Sequence, residues 1–369
     1  MTNVGRLQRA ALRQDMPHRL TGKLCYHQAQ IQTELPIKQP CSLACLALRH
    51  IRALSLLLFA AAAPAVLAQG TDYPTKPVTL VVGYPPGGST DLTARAVAAG
   101  LSKRLGQQVL VENFGGAGGT LGAQRVAQAA PDGYTLFVGT NSEMAISALI
   151  NPTIRYDAQR DFTPLGLLAL QPLLLVASTQ AKVRNLDEFV ALTRKNPGRF
   201  SYGSAGFGHA SHLAGEMVKD AARIFIVHIP YRGVAPLTID LIGGQLEFGV
   251  FVLSTGLPHV RSGKVVALGT ASAKRAAAAP DIPALAEHPA LKHIDISSWF
   301  GMWGPANLPP AVTQRLTRAL AESLASDEVR KRLEDSGATM APTGAVLADY
   351  QRQETEKYAR IVKVANIHE

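Results

Sequence analysis

The sequence predicts an α/β fold of two lobes, each an open, mostly parallel sheet flanked by helices. Three observations carry that expectation. A strand-helix order βαβαβ runs from Val78 to Thr140, and a similar order recurs in the middle of the chain. Polar, glycine-rich loops follow the strands at matching places in the two runs. No long flexible linker separates them, so a cleft between lobes joined by extended crossovers is expected.

The length of 369 residues suits about two domains. The net charge of +10 would fit a nucleic-acid binder if it lay on the folded part, but most of it does not. The first 70 residues hold eight Lys and Arg against Asp15 and Glu34, and the rest of the chain carries only +4, without a basic stripe. No nucleic-acid partner is expected. Arg49, His50 and Arg52 precede the apolar run "ALSLLLFAAAAPAV", and small residues at Val66 and Ala68 offer a cleavage point before Gln69. Pro64 and a core shorter than the roughly 20 residues of a span speak against a membrane anchor. We therefore expect residues 1–68 to be an N-terminal extension plus secretory signal, cut near Ala68, with a true translation start downstream of Met1. Cys25, Cys41 and Cys45 all precede that cut, so no disulfide framework follows. A cysteine-free exported body of this size fits the periplasm.

Val78 to Gly83 reads as a buried, β-branched strand ended by Tyr84, Pro85 and Pro86. Ser89 or Thr90 is positioned to cap the helix that follows, in which Ala94, Val97, Ala98, Leu101 and Leu105 form one apolar stripe, stopped by Gly106. "QVLVEN" is a second strand, Ala123 to Ala130 a second helical stripe, and "PDG" the turn into a third strand, "YTLFVGT". Right-handed crossovers make these strands parallel, with the first between the other two. That sets "PPGGSTD" beside "GTNSE" at the carboxyl ends of the sheet. In the middle, "QPLLLVAST" is a strand, and Asn185 with Glu188 makes a capping pair. Strands "FSYGS", "IFIVHIP", "EFGVFV" and "VVALGTAS" then alternate with helices, and the loops Ser204 to Ser211, Tyr231 to Gly233 and Phe251 to Thr255 converge. The tail from "SSWFGMWGP" reads as covering helices that rejoin the first lobe. Residues 72–172 and 271–369 are expected to form that lobe, and residues 173–270 the second.

"PPGGSTD" follows a strand and opens a helix, but it lacks the lysine of a nucleotide-binding loop, since Gly88 is followed directly by Ser89. What remains is a set of free N–H groups and a helix dipole, suited to a carboxylate. Charge-assisted hydrogen bonds contribute about 1.5 to 3 kcal/mol each. Three or four supply most of the roughly 8 kcal/mol of a micromolar complex. A plain strand-to-helix turn is the competing reading, and two further glycine loops at the same crevice weigh against it. "GGAGGTLG" does not fit GxGxxG in any register, so helix packing is its expected use. His209 and His212 stand at HxxH spacing with His228 the only third candidate, too little for a metal site. Ser204 and Ser211 lie near these histidines, but "GSAG" is not the GxSxG elbow, which leaves a serine/histidine hydrolase as the minor alternative. Trp299 and Trp303 are expected to pack beneath the cleft. No metal or cofactor is called for.

The strings "YPTKPVTLVVGYPPGGSTDLTAR", "VENFGGAGGTLGAQRVAQAAPDGYTL", "SAGFGHASHLAGE", "VHIPYRGVAPLTIDLIGGQLEF", "LPHVRSGK" and "SWFGMWGP" resemble, in order and spacing, the Bug-type substrate-binding proteins of tripartite tricarboxylate transporters. The resemblance extends from Tyr73 onward. It implies a two-lobed periplasmic binding protein of the flytrap type, monomeric and without catalysis, that closes on a small carboxylate and docks on membrane permease subunits. A sensor that signals to a membrane kinase is the alternative. The family's ligand loops fall on Pro86, Gly87, Gly88, Ser89, Thr90 and Asp91, on Thr140, Asn141 and Ser142, and on Ser204, Ala205, Gly206, Phe207 and His209. His209 stands where the family usually has a small hydroxyl, and Phe251 where it commonly has an aspartate able to read a ligand amine. Phe114 and Gly115 replace a common arginine-proline pair. The loss of the aspartate at Phe251 argues against an amino acid, and Phe207, His209 and Phe251 point to an apolar or aromatic monocarboxylate.

Overall fold

Each of the two βαβαβ-like runs builds one half of a continuous sheet, and the chain passes between the halves along a single long strand. The computed structural model describes residues 73–342, 344–364 and 367. The expected signal peptide, its cleavage point near Ala68 and the three cysteines lie outside the described residues. The first run comprises β1 (Val78–Val82), α1 (Ser89–Leu105), β2 (Val109–Asn113), α2 (Thr120–Ala127) and β3 (Thr135–Thr140). A π turn (Ser142–Ile146) and the short α3 (Ser147–Ile150) lead to β4 (Phe162–Ser178). Then follow α4 (Leu186–Lys195), β5 (Ser201–Ser204), α5 (Ala210–Ala222), β6 (Val227–Pro230), α6 (Val234–Ile242), β7 (Phe248–Val252), α7 (Leu253–Arg261) and β8 (Val265–Thr270). The chain closes with β9 (Ser297–Pro305), α8 (Pro310–Leu324), α9 (Asp327–Asp335), β10 (Thr339–Met340) and α10 (Leu347–Val364).

The strand order is β2-β1-β3-β9-β4-β7-β5-β6, with β8 and β10 also paired to β4. β1 lies between β2 and β3 and parallel to both, and β5 stands in the same relation to β6 and β7, as right-handed crossovers require. The middle of the sheet is antiparallel. β4 is 17 residues long and pairs with β9 as far as Pro172, then with β7 and β8 from Leu173 onward. The sequence reading began β4 only at Gln171 and took "SSWFGMWGP" as the head of the helical tail. β9 is buried on both faces almost throughout, so it shows no alternation of polar and apolar residues, and the first part of β4 is broken by Pro164 and Gly166, which blur its period.

Helix patterns fared better because each helix sets a buried apolar stripe against a polar face in solvent. Ala94, Val97, Ala98, Leu101 and Leu105 are all buried, and Gly106 ends α1 in the left-handed region at φ 71°. Asn185 accepts the Glu188 N–H while the Glu188 carboxylate reaches back to the Arg184 N–H. The expected cap of α1 differs: Gly88, not Ser89 or Thr90, holds that position, and no side chain caps the helix. In α2 a Cβ on Gly122 would lie 2.8 Å from the Gly83 Cα, so this glycine serves close helix-strand packing. α8 and α9 cover α1, where a Cβ on Gly100 would meet Val329 at 2.7 Å. Trp299 and Trp303 are fully buried in β9, the latter bonded to Gln351. No helix among the described residues is long and apolar enough to cross a membrane.

Candidate functional site

The carboxyl ends of β1 and β3 face those of β5, β6 and β7, and the loops between them line a continuous cleft. Its inner end is a pinched cavity of about 40 Å³, with Tyr84, Pro86, Gly88, Ser89 and Thr90 on one side. Ala205, His209, Ser211, Gly233, Val234, Phe251 and Thr255 form the other side. Its outer part is a chamber of about 700 Å³ between the loop Gly115 to Thr120, with Ile150 and Ile154, and the loops carrying Phe207, Tyr231 and Arg232. Tyr84, Pro85, Pro86, Ala205 and Gly233 border both parts. The lips touch: the Ala210 N–H donates to Ser142 Oγ at 3.2 Å, and the Tyr84 and His209 rings meet edge to face at 5.7 Å.

Five helix N-termini open onto this cleft, those of α1, α5, α6 and α7 at the inner end and that of α2 at the outer. At four of them the residue in the cap position, Gly88, Gly119, Gly233 or Val252, makes no side-chain hydrogen bond to the helix, although at α7 the Ser254 N–H donates to Gln171 Oε1 at 3.4 Å. α5 is capped by His209 Nδ1, which accepts the Ser211 N–H at 3.1 Å. First-turn N–H groups and the positive ends of the dipoles therefore point where a ligand would lie. Among the described residues no Asp or Glu lines either part, and Arg232 is the one formally charged lining residue. The site is built for an anion.

Of the residues expected at the site, Pro86, Gly88, Ser89, Thr90, Ala205, His209 and Phe251 line the inner cavity, and Gly206 and Phe207 line the outer chamber. Gly87 is exposed and lines neither part, and Asp91, Thr140, Asn141, Ser142 and Ser204 are buried. The Asp91 carboxylate accepts from the Gly87 N–H, Arg95 and Asn113, each at 3.0 Å. Burial alone would raise this carboxyl, and those hydrogen bonds outweigh it and hold it below the usual aspartate value. Asn141 donates to the Ser297 carbonyl and to Tyr358, joining β3 to β9 and α10. Thr140 binds Glu143 through both its N–H and its hydroxyl.

The three histidines are held neutral. Burial lowers His209 to about 4, with His212 adding to it, and likewise lowers His212 to about 4 and His228 to about 3. His212 and His228 stack with ring centres 3.9 Å apart. Ser204 Oγ lies 2.7 Å from His228 Nε2, but the serine is fully buried and also bonds the Gly206 carbonyl. Ser211 and His209 are likewise joined at 2.8 Å. Neither histidine has a carboxylate in contact to complete a triad. Sequence reasoning missed Tyr84 and the glycine wall at Gly118 and Gly119, and it brought the loop of Arg232 and the "GTNSE" turn of Glu143 to the cleft without naming either side chain. A tyrosine directly before "PPGG" was the local signal for the first.

The profile of the tripartite tricarboxylate transporter family receptor matches residues 93–367. Protein BugT of Bordetella pertussis is 32% identical over 309 residues, 83% of this chain and 94% of that protein. Among solved structures, MatC of Rhodopseudomonas palustris with bound malate is 33% identical at a TM-score of 0.74, over 79% of this chain and 100% of that one. Rpa4515 of R. palustris with adipate is 30% identical at a TM-score of 0.76, over 80% of this chain and 99% of that one. Fold and cleft together define a solute-binding protein of the two-lobed periplasmic class. Within that class, the chain belongs to the family of tripartite tricarboxylate transporter receptors.

Proposed function

We propose that the protein captures a small organic carboxylate between its lobes in the periplasm and hands it to the permease subunits of a tripartite transporter. The observation that carries this reading is the convergence of five helix N-termini and Arg232 on a cleft with no acidic lining residue among the described residues. Relatives holding malate and adipate support it. The ligand carboxylate would meet the N–H groups of Ser89 and Thr90 and those behind Gly233, with Phe207 and Phe251 against its carbon skeleton. Arg232 at the mouth also admits ligands with a second carboxylate, a wider range than the monocarboxylate expected from sequence. We place the lobe boundaries at 172/173, where β4 changes partner, and at 270/271, and take the exported form to begin near Gln69 and to act as a monomer. Native mass spectrometry of the periplasmic protein tests the reading. A co-purifying organic acid of low mass is expected, and a bound amine, nucleotide or neutral sugar would contradict it.

A further inference from the structure

We infer that Glu143 is a proton-binding site linked to anion capture: as the anion enters the cleft, the Glu143 carboxylate takes a proton from solvent and becomes a neutral acid. This rests on the carboxylate-receptor reading above. Glu143 is buried at 1% exposure in the π turn behind Tyr84, and no cation among the described residues forms an ion pair with it. Its Oε1 accepts the Thr140 N–H at 2.7 Å, and its Oε2 accepts the Thr140 hydroxyl at 2.8 Å. The Thr140 hydroxyl in turn accepts the Ser142 N–H at 3.1 Å, so its own hydrogen is committed to Glu143.

The proton count then turns on Tyr84. Its hydroxyl has one hydrogen and two oxygens within reach, the Gly118 carbonyl at 2.7 Å and Glu143 Oε2 at 2.9 Å. Both contacts are complete when Glu143 carries a proton and donates it to Tyr84, which donates onward to Gly118. With Glu143 ionised, the Tyr84 hydrogen turns to the carboxylate and the Gly118 carbonyl loses its partner. Gly118 belongs to the wall of the outer chamber, and Tyr84 borders both parts of the cleft. An anion against Tyr84 lies one side chain away from the carboxyl, with no cation between to screen it, so its charge favours the neutral acid.

The other titratable groups around the turn do not supply a counter-charge. Tyr156 donates to the Glu143 carbonyl at 2.6 Å, and His209 against Tyr84 is neutral. On α10, Glu354 is engaged by Lys357 and Tyr358, and on α2 Arg125 is turned outward to Glu112. Burial raises the Glu143 carboxyl to about 7, which puts the exchange within the ordinary working range.

Calorimetry with adipate and malate at pH 7, in phosphate and in Tris, counts the protons exchanged. For the wild type we expect heats that differ between buffers by a fraction of a proton taken up. We also expect affinity to weaken by up to about tenfold from pH 6.5 to pH 9, for a shift of about one pKa unit on binding. In Glu143→Gln the heats coincide and the pH dependence vanishes. Tyr84→Phe, which keeps the ring, removes the hydroxyl contact to the ionised acid, so the fall in affinity moves to higher pH. Equal heats in the wild type, uptake retained in Glu143→Gln, or an unmoved profile in Tyr84→Phe would each overturn the linkage while leaving the receptor reading intact. Absence of binding by both acids would overturn both.

Discussion

Asp91 lies in the first turn of α1, yet its carboxylate turns back to accept the Gly87 N–H at 3.0 Å while Arg95, one turn on, holds it from the other side. The glycine corner is thus fixed from within its own helix, and its remaining N–H groups stay free for a ligand. Asp91→Ala leaves the Gly87 N–H and the Asn113 amide without this acceptor. We expect a loss of about 2 kcal/mol of stability at pH 7 in urea titration, and weaker ligand binding. Because the folded carboxyl sits below 3.8, the stability it contributes is present above that value and lost as pH falls through the folded value, so the gap to wild type should narrow as pH is lowered below 3.8. A gap that stays constant as the pH is lowered would show that Asp91 acts by packing alone.

Glu143 has the opposite sign. Its carboxyl is raised from 4.5 to about 7, so the folded protein binds the proton more tightly than the unfolded chain does. The stabilising contribution is complete below 4.5 and is lost as pH rises through about 7. Relative to Glu143→Gln, the wild type should lose on the order of 3 kcal/mol between pH 4.5 and 8, read by urea titration at both values. A difference independent of pH would contradict this.

Arg232 is the cleft's one formal charge, exposed and without an ion-pair or hydrogen-bond partner among the described residues. Arg232→Gln should weaken adipate binding by about tenfold and leave a monocarboxylate such as hexanoate nearly unaffected. Raising salt should weaken adipate binding in the wild type more than in the variant. Equal losses for both acids would place Arg232 outside recognition.

Gly119 adopts φ 97°, and a Cβ there would stand 2.9 Å from the Tyr84 ring. Gly119→Ala should therefore lower stability by about 1 to 3 kcal/mol and displace Tyr84, reducing affinity. Thermal unfolding and calorimetry check the two effects, and a variant with unchanged affinity would detach Tyr84 from the site.

Much of the fold was legible because its helices and outer strands obey local rules. The α1 stripe, the Gly106 stop and the Asn185 cap each depend on residues a few positions apart. β9 and the first part of β4 were not legible, since Trp299 to Met302 and Leu165 to Ala169 are apolar on both faces or interrupted by glycine, which carries no period. The same division holds for the cleft. The glycine corners at Pro86 to Ser89 and Ala205 to Phe207 could be read from turn chemistry. Glu143 and Tyr84 are 59 positions apart and meet only because β1 and β3 are neighbours. Arg232 gains its meaning from the lack of any other charge around it, which is a property of the assembled cleft.

The most direct measurement compares adipate with its neutral diamide by titration calorimetry on the purified protein. Capture by helix N-termini and Arg232 requires the charge, so adipate, or malate in its place, should bind one to one at micromolar affinity or better while the diamide gives no heat. Equal binding of acid and amide, or binding of neither malate nor adipate, would contradict the account.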